Sequence, residues 1–209
     1  MAMKTKHSFV LLIIASSVVI GGMIAVSYQQ KVQRVMDYQN VLRELQPAKK
    51  LTEIDLISHK NEKFSLQSFQ GKWSFVFFGY TNCPDICPNT LSYLKQLYQQ
   101  IIAQSNKVKV QIIFVSVDPG RDTVKRLAEF MPYYHKDFMG LTGDLKNIKQ
   151  LTRQLGVFFS YSQTANKSYY NVDHSSSILL IDPDSRLRGI TSDKNEISAL
   201  TNAFLSLSE

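Results

Sequence analysis

Apolar residues follow two rhythms along this chain. Trp73–Phe78 and Val108–Val117 are short, nearly continuous apolar runs, the second with Ile112, Ile113, Phe114 and Val115 in series, and both predict buried strands. Elsewhere apolar positions recur at helical spacing. Leu91, Leu94, Leu97 and Ile101 predict a helix from Pro88 to about Gln104. Leu145, Ile148, Leu151 and Leu155 predict another, with Asp144 as its cap and Gly156 as its stop. Asp122 or Thr123 caps a helix running to about Met131. Leu51–Leu66 places short apolar pieces around His59-Lys60-Asn61, the pattern of a hairpin, and Asp118-Pro119-Gly120-Arg121-Asp122 reads as a turn. Further on come a short strand at Val157–Tyr161, an exposed loop at Ser162–Ser168 and a strand at Ser177–Ile181. The last of these turns at Asp182-Pro183-Asp184-Ser185 into Leu187–Ile190. Asp193 and Glu196 have the spacing of a capping box for a final helix. Alternating strands and helices with a closing hairpin predict an α/β domain with a mixed central sheet flanked by helices, and a thioredoxin-like arrangement fits.

The first part of the chain follows another pattern. Residues 1–8 form a short tail with Lys4 and Lys6. Phe9–Val26 is apolar and uncharged, at about the lower length limit of a membrane-spanning helix and longer than the roughly 7–15 residues of a signal-peptide core. The reading is an uncleaved anchor over residues 9–27, with the tail in the cytoplasm and the main domain on the outer, periplasm-like side. Residues 28–47 are polar and glutamine-rich, a helical stalk ending at Pro47, and the main domain covers residues 48–209. The formal charge of +7 is scattered rather than gathered in a stripe, so a solvated surface or attraction to anionic lipid explains it, with no nucleic acid.

The two cysteines of the chain, Cys83 and Cys87, lie where the Trp73 strand gives way to the Pro88 helix. Pro88 suits the first helical position, which puts Cys87 at or beside the N-cap, its sulfur under the positive end of the helix. Such microenvironments favour the thiolate, the form that binds metals and attacks disulfides. Among the four histidines, His7 is in the tail, and His59 and His135 lie in polar stretches. His174 immediately precedes a buried strand, and a thioredoxin-like sheet brings that approach opposite the cysteine loop. Two thiolates and an imidazole suit copper, as soft sulfur selects Cu(I) and imidazole also accepts Cu(II). A closed structural zinc site would want a fourth ligand. Asp173 and Asp85 are candidates to orient the imidazole or the loop from behind the ligands. Phe78 and Tyr80 are candidate walls of the site. Asp118, Arg121 and Asp122 read as a structural turn and cap.

Phe77-Phe78-Gly79-Tyr80-Thr81-Asn82-Cys83-Pro84-Asp85-Ile86-Cys87-Pro88 resembles the signature of the Sco/SenC family of copper chaperones. Ser116-Val117-Asp118-Pro119-Gly120-Arg121-Asp122-Thr123, Gly140-Leu141-Thr142-Gly143 and Val172-Asp173-His174-Ser175 resemble its later blocks, in the same order. The resemblance implies a thioredoxin-like domain tethered by one N-terminal helix, with copper held by Cys83, Cys87 and His174. It also implies a part in building the binuclear copper centre of cytochrome c oxidase subunit II, with other copper chaperones or thiol reductants as further partners. Asn82 and Gly120 depart from the common histidine and glutamate of the family, and neither removes a ligand. With no basic, serine-rich transit segment ahead of the apolar run, the expected setting is a bacterial inner membrane with the domain in the periplasm. Two other readings compete. One is a thiol–disulfide oxidoreductase in which redox-active Cys83 and Cys87 form a disulfide and reduce client cysteines. The other is a peroxiredoxin-like peroxidase or a sensor of copper or redox state.

Overall fold

A computed structural model of the chain describes residues 17–29, 41–163, 170–192, 194 and 196–208. The chain divides into two compact units, residues 1–40 and Val41–Glu209. Of the first, residues 17–29 are helical. Much of the expected span and most of the expected stalk lie outside the described residues, among which no helix is long and apolar enough to cross a membrane.

The second unit is built on an eight-stranded sheet. In chain order its strands are β1 (Arg43–Lys50), β2 (Leu56–Ser58), β3 (Lys63–Phe64), β4 (Trp73–Gly79), β5 (Val110–Ser116), β6 (Met139–Thr142), β9 (Ile178–Ile181) and β10 (Arg186–Thr191). β7 (Phe159–Gln163) and β8 (Tyr170–His174) form a separate antiparallel pair. The order across the sheet is β1-β10-β9-β4-β5-β6-β2-β3. β4, β5 and β6 run parallel and the other pairs antiparallel, so the sheet is mixed, as the segment order predicts. The two apolar runs become its centre: Phe75–Phe78 and Ile112–Val115 are wholly buried, apart from a trace at Ile112.

Helices α1 (Ile86–Gln104), α2 (Val124–Phe130), α3 (Leu145–Leu155) and α4 (Ile197–Leu207) complete the unit. Most of the stripes expected from sequence are buried: Leu91, Leu94, Leu97 and Ile101 on α1, and Ile148, Leu151 and Leu155 on α3, while Leu145 at the start of α3 is half-buried. Phe204 of α4 meets Trp73 and Phe75 edge-on, with ring centres 5.6 and 5.1 Å apart. Thr123 caps α2 by accepting the Arg126 N–H at 3.2 Å. Gly156 ends α3 at φ +68°, a left-handed turn that suits glycine.

Three expectations change. The strand β1 begins at Arg43, inside the expected stalk, and the buried Val41 and Leu42 join the core just ahead of it. The polar sequence of β1 belongs to an edge strand, which pairs with β10 on one side only. α4 starts at Ile197 with Glu196 in the N-cap position, so Glu196 is not the third residue of a capping box, and Asp193 lies outside the described residues. Finally, Ser162 and Gln163 of the expected loop belong to β7, which pairs with β8 as a hairpin, and residues 164–168 of that loop lie outside the described residues.

Candidate metal centre

The site begins where β4 ends. β4 and β5 run side by side to Gly79 and Ser116, and the chain leaves β4 through a tight loop into α1. α1 starts two residues earlier than Pro88 predicts. Asp85 occupies the N-cap position, and its Oδ1 accepts the side-chain N–H of Asn89 at 2.6 Å. Pro88 is thus the third helical residue, which costs nothing, because the first four N–H groups of a helix have no acceptor within it. The first full helical bond is the next one, Asn89 N–H to the Asp85 carbonyl at 3.2 Å.

This shift changes the roles of the two sulfurs. Cys87 sits within the first turn and is completely buried, while Cys83 lies half-buried in the loop; both are free thiols. The Cys87 backbone N–H is donated to Cys83 Sγ at 3.4 Å. The helix terminus therefore addresses Cys83, rather than Cys87 as the cap prediction has it. Burial instead pushes the Cys87 thiol far above its ordinary range. Gly79 makes room for that sulfur: a Cβ there would stand 2.7 Å from Cys87 Sγ and 2.8 Å from the Phe114 ring.

His174, at the end of β8, meets the cysteines as expected. Its Nε2 is 3.4 Å from Cys87 Sγ, and its Nδ1 is 3.0 Å from the Ser175 carbonyl. A carbonyl only accepts, so Nδ1 carries the proton and the Nε2 lone pair faces the sulfur. Burial lowers the imidazole pKa, with Lys194 adding to that effect and the Ser175 carbonyl opposing it, so the ring is neutral at neutral pH. The Tyr80 and Phe77 rings stand edge-on to it at 5.9 and 6.0 Å. Phe77 thus takes the place expected of its neighbour Phe78, as strand alternation sends adjacent side chains to opposite faces. One ligand atom from each of Cys83, Cys87 and His174 lies within 4.8 Å of the other two.

Asp85 and Asp173 line the open cleft of about 350 Å³ beside Cys83 and His174. Among the described residues, no hydrogen bond joins either carboxylate to a sulfur or to the imidazole. The orienting acceptor is the Ser175 carbonyl.

The residues read as a turn and a cap do more than that. Asp122, wholly buried, accepts the Thr81 N–H at 2.9 Å, the Thr81 hydroxyl at 2.6 Å and the Ser116 hydroxyl at 2.6 Å, fixing the start of the cysteine loop. Burial raises its carboxyl pKa while those donors oppose the rise. Asp118, also buried, is paired with Arg121 and accepts the Tyr170 hydroxyl at 2.7 Å. Lys194, half-buried, donates to the Thr90 hydroxyl at 2.9 Å and lies 6.0 Å from the Phe77 ring centre. The sequence singles out neither Lys194 nor Tyr170. The available signal was two aspartates flanking an arginine in one turn, which composition alone reads as a loop.

Comparison with known proteins agrees with this geometry. The family model described as SCO1/SenC matches residues 43–208. A Stutzerimonas stutzeri protein provisionally named copper-binding is 36% identical over 155 residues, covering 74% of each chain. The mitochondrial SCO2 homologue of Bos taurus is 37% identical over 132 residues, 63% of this chain, which spans about half of that relative's length. The copper-bound crystal structure of Arabidopsis thaliana ScoI superposes with a TM-score of 0.67 at 30% identity, over 74% of this chain and 98% of that one. Copper-bound yeast Sco1 gives 0.68 at 26% identity, over 76% and 87%. A match running from β1 to the last helix, on a chain whose cysteine loop and hairpin histidine converge, places the protein in the SCO1/SenC family.

Proposed function

We propose that this chain is a membrane-anchored copper carrier that helps assemble the binuclear copper site of cytochrome c oxidase subunit II. Copper is its cargo, held by Cys83, Cys87 and His174. The observation that carries the reading is the meeting of two sulfurs and an imidazole within 4.8 Å on a SCO1/SenC chain. The donor set fits the ion: two soft sulfurs select Cu(I), and an imidazole whose other nitrogen is already committed offers one well-aimed lone pair. Relatives described as copper-binding or copper-bound support the same cargo. The apolar run at Phe9–Val26 supports an anchor, and Lys4 and Lys6 ahead of it support a domain on the periplasmic side.

Each residue has a task. Cys83, half-buried at the cleft, is the first sulfur an incoming ion or a client thiol reaches. Cys87 holds its proton while buried, so loading releases that proton and affinity rises with pH. Nε2 of His174 needs no deprotonation at neutral pH. Two thiolates around one monovalent ion leave a net negative charge, and Lys194, which interacts electrostatically with Cys87, is the nearby cation that would offset it.

One observation favours a second task for the same pair. An accessible Cys83 beside a sequestered Cys87 is also the layout of an attacking and a resolving thiol, which suits reduction of client cysteines before they receive metal. Cu(I) titration of the reduced full-length protein against a competing chelator separates the two. The carrier reading expects one copper per chain, with affinity falling about tenfold or more in Cys83→Ser, Cys87→Ser and His174→Ala. Undiminished affinity in His174→Ala, together with reduction of a disulfide substrate, would leave the oxidoreductase.

A further inference from the structure

His174 lies on β8, and the β7–β8 pair shares no strand hydrogen bonds with the eight-stranded sheet among the described residues. Sheet geometry alone therefore does not set the distance from the imidazole to the sulfurs. Side-chain contacts also tie this hairpin to its surroundings: the Tyr80 hydroxyl meets the Val172 backbone, and further contacts reach the loop after β5.

Among the described residues, four contacts link the hairpin to that loop. The Tyr161 hydroxyl donates to the Val117 carbonyl at 2.7 Å. The Tyr170 hydroxyl donates to Asp118 Oδ1 at 2.7 Å. Arg121 Nη1 donates to the Tyr170 carbonyl at 3.1 Å, and its guanidinium carbon lies 3.8 Å from the centre of the Tyr170 ring. Arg121 Nε is bonded to Asp118, so one guanidinium joins a buried carboxylate, a backbone carbonyl and an aromatic face at once. Arg121 also lies 5.6 Å from the ring centre of Tyr80, which stands edge-on to His174. A planar guanidinium can stack and bond in this way, and a lysine ammonium cannot.

We infer that Asp118, Arg121 and Tyr170 are positioning residues. They pin the β7–β8 hairpin to the loop after β5, and so hold the His174 imidazole against Cys87. The same loop holds the other half of the site, since Asp122, next to Arg121, binds Thr81 at the start of the cysteine loop. One loop thus registers the histidine with the cysteines. The consequence for copper rests on the carrier reading above; the positioning itself does not.

The test uses the reduced full-length protein and two mild variants, Tyr170→Phe and Arg121→Lys. Arg186→Lys serves as control, as Arg186 pairs with Asp182 in the β9–β10 turn, away from the site. In the metal-free protein, nuclear Overhauser contacts from the His174 ring to the Phe77 and Tyr80 rings report position directly. With Cu(I), a competing chelator reports affinity. With Cu(II), the nitrogen hyperfine signal in electron paramagnetic resonance reports the imidazole ligand. Both variants are expected to lose or weaken the ring contacts, bind Cu(I) about ten- to a hundredfold less tightly and show a weaker nitrogen signal. Circular dichroism and the reactivity of both thiols should match the control. Ring contacts that persist in both folded variants overturn the inference, whatever happens to affinity. If the unaltered protein takes up no copper, the carrier reading fails, and the metal-free ring contacts still decide whether these residues position His174.

Discussion

Gly79 and Cys87 face each other across a gap with no room for a methyl group. A Cβ at Gly79 would lie 2.7 Å from the sulfur and 2.8 Å from the Phe114 ring, both of them in a fully packed interior. Gly79→Ala must therefore push the Cys87 side chain or the strand. The expected outcome is a loss of about 1–3 kcal/mol in urea unfolding, together with weaker copper binding. Cys87 and His174 also set a pH window for the metal-free protein. Burial raises the Cys87 thiol, so its contribution to stability is present below the ordinary thiol pKa and is lost as pH climbs above it. Burial lowers the His174 imidazole, so its contribution is present above the ordinary imidazole pKa and is lost as pH falls through the depressed one. As far as these two groups act, the urea midpoint is highest between about pH 6.5 and 8.5. Cys87→Ser should flatten the alkaline limb and leave the acid limb in place.

The loop after β5 is the element on which both halves of the site depend. Asp122→Ala would leave the Thr81 N–H and the Ser116 hydroxyl without their acceptor, and the Thr81 hydroxyl with only Asn82 Oδ1 at 3.3 Å. Each buried donor left unpaired costs about 1–3 kcal/mol, so this variant is expected to melt much earlier than Gly79→Ala and to expose both thiols to modification. Differential scanning calorimetry and thiol labelling check this. Elements explain what the sequence could and could not disclose. The centre of the sheet was legible because β4 and β5 are continuous apolar runs, and α1 and α3 because their stripes keep helical spacing. The start of α1 was misplaced because proline, though it favours the first helical position, is also tolerated at the later first-turn positions whose N–H has no helical acceptor. β1 was hidden because an edge strand needs no apolar alternation, and Gln46-Pro47-Ala48-Lys49-Lys50 shows none. The tie between Asp118 and Tyr170 spans 52 positions and exists only once the hairpin docks, so no local pattern announces it.

At the scale of the whole molecule, the fold brings together at one end of the sheet groups that are distant in sequence. The loops after β4 and β5 lie at that end, because the two strands run parallel, and β8 delivers His174 to it from 87 positions beyond Cys87. The meeting of Cys83, Cys87 and His174 was legible because cysteine and histidine types are few and flank buried strands. Its support was not, because aspartate, arginine and tyrosine in a turn look alike whether they cap, solvate or clamp. The central claim is that one copper ion sits among Cys83, Cys87 and His174 of a single chain. X-ray absorption at the copper edge of the Cu(I)-loaded, full-length protein tests it most directly. The account predicts a first shell of two sulfurs and one imidazole nitrogen, with the nitrogen lost in His174→Ala. A shell of sulfur alone, unchanged by that substitution, would contradict it.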